Sequence, residues 1–126
     1  MEIVMEENNV MRAVEYYTLL GEKKVEAIKQ YLDANVEFKG PLAALRGREA
    51  VIMATSNFIK SFKSLKIRAK FGTGSQAMIV YEVDIPDIAK DFPGASLLTF
   101  KEGLIMKIEL FYDGSRFLEK SKEIFS

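Results

Sequence analysis

The sequence contains no cysteine and no histidine. The first absence removes disulfides, thiolate nucleophiles and zinc–thiolate sites together. The second removes Ser-His-Asp and Cys-His triads, imidazole metal sites and any histidine pH switch. Any chemistry must therefore be carried by Asp, Glu, Tyr, Lys or Arg. An excess of one charge is missing too: Lys and Arg number 18, Asp and Glu also 18. No whole-chain field draws such a protein to nucleic acid or to an anionic membrane. The basic run Lys60, Lys63, Lys66, Arg68, Lys70 has no glycine-rich phosphate cradle or aromatic RNA-binding signature beside it, and reads as a solvated helix end and strand face. No apolar stretch reaches the roughly 18 residues needed to cross a membrane. The start, Met1-Glu2-Ile3-Val4-Met5-Glu6-Glu7, has acids where a secretory signal needs Lys or Arg, and no adequate apolar segment follows. The expectation is a cytoplasmic protein without nucleic-acid or membrane partners.

What is present fits one domain over residues 1–126. A chain of this length buries roughly two-thirds of its unfolded surface, enough for a core without staples. Val10, Ala13, Val14, Tyr17 and Leu20 recur at helical spacing between Asn8 or Asn9 as N-cap and Gly21, predicting a helix over 9–20. Val25, Ile28, Tyr31 and Leu32 predict a second over 22–32. Val36-Glu37-Phe38 reads as a short strand stopped by Lys39-Gly40-Pro41. Gly47-Arg48-Glu49 opens a third helix to about Phe62, apolar over a wide face and so well buried. The period then changes to two. Leu65, Ile67, Ala69 and Phe71 alternate with Lys66, Arg68 and Lys70, Gly72-Thr73-Gly74 turns the chain, and 77–85 is the next strand. Residues 86–94 read as a loop, 96–100 as a strand, 101–103 as a hairpin turn, 104–112 as the longest strand, and 115–126 as a short terminal helix. Strands joined by such short turns are antiparallel, which gives an α+β domain with helices on one face of a curved sheet.

Three stretches then carry a resemblance. They are Glu15-Tyr16-Tyr17-Thr18-Leu19-Leu20 through Ile28, with Leu32 and Val36-Glu37 beyond; Gly47-Arg48-Glu49-Ala50-Val51; and Gly103-Leu104-Ile105 leading into Ile108-Glu109-Leu110-Phe111-Tyr112-Asp113. In this order the sequence resembles the nuclear transport factor two-like superfamily, particularly its SnoaL-like polyketide cyclase and ketosteroid isomerase-like branches. The resemblance implies a cystatin-like cone, a curved antiparallel sheet packed on three helices in the order α-α-β-α-β-β-β-β, with a cavity between sheet and helices. It also implies a homodimer paired sheet to sheet. The superfamily includes isomerases, dehydratases, hydrolases and cyclases beside members that only bind, so fold alone implies a pocket and no reaction.

The isomerase branch uses a tyrosine of the first helix as oxyanion donor, one aspartate as base and a second, protonated acid on the sheet. Laid along this sequence, the tyrosine position is Tyr16, but the base position falls near Phe38 and the second acid near Ser96. A phenylalanine takes no proton from a carbon acid. The SnoaL-like pattern places its acid/base aspartate after an aromatic residue at the end of the last long strand, where Asp113 follows Phe111-Tyr112. Partial burial against those rings would raise its pKa toward neutrality; Asp113-Gly114 is equally an ordinary turn pair. Glu82 and Asp84 share a strand face, about 7 Å apart. Inside an apolar cavity they would hold a proton between them; facing solvent or a dimer contact they would pair with Arg or Lys.

Nine Phe, five Tyr and six Met supply abundant apolar surface. Phe38, Phe58, Phe62, Met78, Phe100 and Phe111, with Tyr17, would line a site for an apolar or aromatic ligand, or else fill the core. No cofactor is implied, and without His or Cys the one candidate for a calcium or magnesium cluster, Asp84, Asp87 and Asp91, lacks the EF-hand spacing and reads rather as acids that solvate a loop. Three readings stand at this point. The first is cofactor-free acid/base chemistry on a small apolar molecule, with Asp113 exchanging the proton, Tyr16 or Tyr17 holding the substrate oxygen and Glu82 with Asp84 assisting. The second is a binding protein using the same cavity without catalysis. The third is a dimeric scaffold with a filled cone and no continuous cavity above roughly 300 Å³.

Overall fold

A computed structural model describes residues 2–117. The first helix, α1 (Glu2–Gly21), is longer than its predicted 9–20 and runs through both candidate caps. Ala13, Tyr16, Tyr17 and Leu20 form its buried stripe. The stop is not Gly21 itself: Lys23 takes the left-handed conformation (φ 64°). The amides of Lys23 and Lys24 then bond back to the Leu20 and Leu19 carbonyls, satisfying groups the helix end leaves open. Lys23 is held there by its own side chain, whose Nζ donates to the Phe62 carbonyl at 2.7 Å and lies over the Phe62 ring.

The second helix is shorter than expected. A single turn, α2 (Val25–Ile28), passes through a 3₁₀ turn (Lys29–Tyr31) straight into β1 (Leu32–Lys39). Leu32 is therefore a strand residue, buried beside Ile105. A short strand absent from the sequence reading, β2 (Ala44–Arg46), pairs antiparallel with β1. Gly47, at φ 97°, then leads into α3 (Arg48–Phe58), which stops short of Phe62. The backbone amide and hydroxyl of Ser61 both donate to the Phe58 carbonyl and close that end.

The remaining chain is a meander: β3 (Ser64–Thr73), β4 (Gln76–Ile85), β5 (Ala89–Lys101) and β6 (Leu104–Phe111). All three hairpin pairs are antiparallel, as the short turns required. β1 joins the far side of β6 in parallel, giving one curved, unclosed sheet in the order β2-β1-β6-β5-β4-β3. The stretch 86–94, read as a loop, is mostly strand; only Pro86, Asp87 and Ile88 turn. Pro93 is tolerated because it lies beyond the end of β6, whose pairing with β5 stops at Ala95↔Phe111, so its missing N–H faces an open edge. A 3₁₀ turn (Gly114–Phe117) follows β6; the rest of the predicted terminal helix lies outside the described residues.

Helices α1 and α3 cover one face of the sheet, and the core lies between. On β4 the alternation is clean: Ile79, Tyr81, Val83 and Ile85 are buried, whereas Met78, Val80, Glu82 and Asp84 are only half-buried on the other face. No described helix is long and apolar enough to cross a membrane.

Candidate functional site

Between α1, α3 and the concave face of the sheet lies a cavity of about 80 Å³. Its floor is made by buried residues: Tyr16, Tyr17 and Leu20 from α1, Val51 and Thr55 from α3, and Tyr81, Val83 and Ile85 from β4. The rim is made by half-buried or exposed ones, among them Phe38, Leu45, Phe58, Pro93, Leu110 and Tyr112. No Asp, Glu, Lys or Arg lines it among the described residues.

The polar groups of this interior are hydroxyls. Tyr17 donates to Ser96 Oγ at 2.5 Å, and the Tyr81 hydroxyl lies 3.3 Å from the same oxygen. Tyr16 pairs with the Thr55 side chain, whose own proton goes to the Val51 carbonyl at 2.8 Å. The rings are fixed by one another: Tyr17 stacks on Tyr81 with centroids 5.1 Å apart, and meets Tyr16 edge-on at 5.3 Å. Burial pushes all three phenols above the usual range, an effect partly offset by the hydrogen bond with Thr55 at Tyr16 and by the hydrogen bonds with Ser96 at Tyr17 and Tyr81. Tyr112 at the rim is pushed up to about 12, also by burial. At neutral pH these groups are proton donors, not bases.

Gly94 belongs to this arrangement. It stands opposite Tyr81 in the β4–β5 ladder, and a methyl built on it would meet Tyr81 Cε2 at 3.0 Å and Cζ at 3.2 Å. Glycine there lets the Tyr81 ring lie across the strand.

The residues singled out from the sequence divide between this cavity and other places. Tyr16, Tyr17, Phe38 and Phe58 line it. Phe62 and Phe100 are buried outside the lining, Phe62 against Phe58 at 5.1 Å. Met78 lies on the outer sheet face, and Phe111 is 50% exposed. Glu82 and Asp84 share that outer face with Met78; Glu82 pairs with Arg68 Nε at 3.2 Å, and Asp84 lies opposite Ser64. Asp113 is exposed in the turn after β6, where its Oδ1 accepts from the Ser115 amide (3.0 Å) and hydroxyl (2.7 Å). It is not a lining residue. Of the two positions at which the isomerase pattern expects acids, Phe38 puts its ring at the rim, and Ser96 is buried outside the lining, where its hydroxyl accepts from Tyr17.

The family model of the SnoaL-like domain matches residues 13–108. The chain belongs to the SnoaL-like domain family. Among curated proteins none matches it. Solved structures share the fold of this SnoaL-like domain at low identity. A steroid delta-isomerase from Pseudomonas aeruginosa is 16% identical with a TM-score of 0.78, the match covering 94% of this chain and 90% of that one. An NTF2-like protein of unknown function from Cytophaga hutchinsonii is 20% identical, TM-score 0.72, covering 82% and 88%. A de novo designed protein with a curved β-sheet is 20% identical, TM-score 0.82, covering 94% of each. These likenesses establish the nuclear transport factor two-like, cystatin-like fold.

Sequence reasoning missed Tyr81, Ser96 as a hydroxyl partner, Thr55 and Gly94 in this SnoaL-like domain. Tyr81 was within reach, since it shares a phase with Ile79, Val83 and Ile85 and that apolar phase is the one a one-sided sheet buries. Nothing in the local pattern marks Ser96 or Gly94, because their roles come from a partner strand and a helix far away in the chain.

Proposed function

We propose that this SnoaL-like domain binds a small, uncharged, largely apolar molecule in its cone without transforming it. One observation carries the reading: the cavity is lined by hydrocarbon and buried tyrosines, with no carboxylate or amine among the described lining residues. Cofactor-free proton transfer needs a base whose pKa lies near the working pH. The phenols facing this interior are shifted away from that range, and the carboxylates of Glu82 and Asp113 are engaged with Arg68 and Ser115. A buried apolar surface with a few hydroxyls suits recognition of a neutral ligand. The space is modest. On the scale on which a cavity of ~150 Å³ admits benzene, 80 Å³ holds about three heavy atoms, so it fits an end group whose remainder lies along the rim aromatics.

That small volume favours one second reading, a filled cone acting as a scaffold. Both are tested by incubating the full chain with a mixture of small apolar alcohols, ketones and hydrocarbons and analysing what co-purifies. A ligand retained unchanged supports binding, and no retained ligand supports the scaffold. Turnover abolished by Asp113→Asn would overturn both in favour of acid/base catalysis.

We propose also that two copies pair through the outer sheet face. Phe71 (61% exposed) and Phe111 (50% exposed) flank Met78, Val80, Ala95 and Leu97 there. Such a contiguous apolar surface is costly to leave in water, and a net charge of zero puts no repulsion between copies.

A further inference from the structure

The sheet has two edges of unlike character. β2 is three residues long, and its Arg46 is paired with Glu37. β3, at the opposite edge, is ten residues long and has β4 as its one strand neighbour. At its start a methyl on Gly21 would stand 3.4 Å from the Leu65 carbonyl oxygen, so the end of α1 covers that point. From Lys66 to Thr73 the described residues offer no second backbone partner. About half of the N–H and C=O groups of such a strand point away from its neighbour.

The basic run of the sequence lies along this edge. Lys63, Lys66, Arg68 and Lys70 are all exposed, and among the described residues only Arg68 of the four has an ion pair, with Glu82. Of the acids near the start of the strand, Glu22 is held by Lys24, and Asp84 lies opposite Ser64, beside the point that α1 covers. A shift of register between Ile67 and Ala69 makes Arg68 a bulge. Lys66, opposite Glu82, therefore stands on the outer face, and Lys70, opposite buried Ile79, on the face that the helices cover. Cations thus flank the bare backbone on both sides. Lysines at an edge deter pairing between copies, because each copy would set lysine against lysine. The same charges attract a strand of opposite sign, so the edge discriminates between occupants. A nucleic-acid backbone would meet the charges but offers no matching ladder of donors and acceptors.

We propose that β3 is a docking edge for an acidic peptide, which adds in extended form along Lys66–Thr73 as a seventh strand of the sheet. Occupancy of the cavity plays no part in it, since no β3 residue lines that space.

The test uses the full chain and a capped peptide, Asp-Glu-Val-Glu-Asp-Val-Glu-Asp. Its controls are the same peptide N-methylated at alternate residues, which keeps the charge and removes backbone donors, and an oligothymidylate of equal length. Affinity is read by fluorescence anisotropy, and backbone amide exchange by NMR. The acidic peptide should bind, slow exchange within Lys66–Thr73, and weaken between about 0.05 and 0.5 M salt. Lys66→Gln with Lys70→Gln should weaken it roughly threefold to tenfold, and N-methylation should abolish binding. An N-methylated peptide or an oligothymidylate that binds as tightly overturns strand addition in favour of a plain charged surface. No binding of the acidic peptide, or protection confined to residues outside β3, overturns the proposal and leaves the lysines as a guard against self-pairing. Should the double variant fail to fold, the N-methylation comparison on wild type decides.

Discussion

Gly94→Ala should destabilise the domain, although a purely local argument gives the opposite sign. Gly94 is not among the positive-φ glycines. A methyl at such a site restricts the unfolded chain and ordinarily stabilises by about 0.4–1 kcal/mol. Here the methyl would stand 3.0 Å from Tyr81 Cε2, 3.2 Å from Cζ and 3.4 Å from Oη. The ring has little freedom to retreat, because it is stacked on Tyr17 and its hydroxyl sits beside Ser96. Overpacking of this kind costs about 1–3 kcal/mol. The net expectation is a loss of about 0.5–2 kcal/mol, which for a domain of this size lowers Tm by roughly 2–8 °C. Thermal and urea unfolding of wild type, Gly94→Ala, Tyr81→Leu and the double variant form the cycle that isolates the contact. In the Tyr81→Leu background the flat ring is gone, so the same methyl should be neutral or mildly stabilising. An equal shift in both backgrounds, or a gain in stability in wild type, refutes the steric reasoning.

Alkaline pH provides an independent measure of the buried phenols. Tyr16, Tyr17 and Tyr81 keep their protons in the folded state at pH values where the unfolded chain, near 10, has begun to lose them. Their contribution is complete below pH 10 and falls away above it, by up to ~1.4 kcal/mol per pH unit for each tyrosine; urea midpoints at pH 8, 10 and 11 that do not move would contradict their burial. Asp113→Asn should leave ligand retention as it was, because Asp113 does not line the cavity. Phe71→Glu combined with Val80→Glu should convert a dimer to a monomer in equilibrium sedimentation; a wild type that is monomeric at micromolar concentration removes the sheet-to-sheet pairing.

The element order and the curved sheet were legible because periodicity and turn chemistry are local. β4 is the clearest case, where two side-chain phases were visible in the sequence and one is buried along its whole length. Legibility failed where a long-range partner overrides a local signal. Pro93 and Gly94 read as loop, yet pairing with β4 and the open edge beyond β6 make them strand. β2 is three residues long and gains its conformation from β1. The site followed the same rule. Tyr16, Tyr17, Phe38 and Phe58 were named from helix position and composition, whereas the grouping of Tyr17, Tyr81 and Ser96 depends on α1 crossing the β4–β5 ladder, which no local pattern encodes.

The parallel pairing of β1 with β6 governs when this domain becomes itself. Phe38 finds its neighbour Ile108 only after roughly seventy further residues have been made. A chain leaving the ribosome therefore carries β1 and β2 as a flap packed on α3 but open along the far edge of β1, with bare amides there, until β6 emerges. Shortening the protein from its C-terminal end past β6 should cost far more than the strand removed, since the flap bearing Phe38 and Leu45 would lose its anchorage as well.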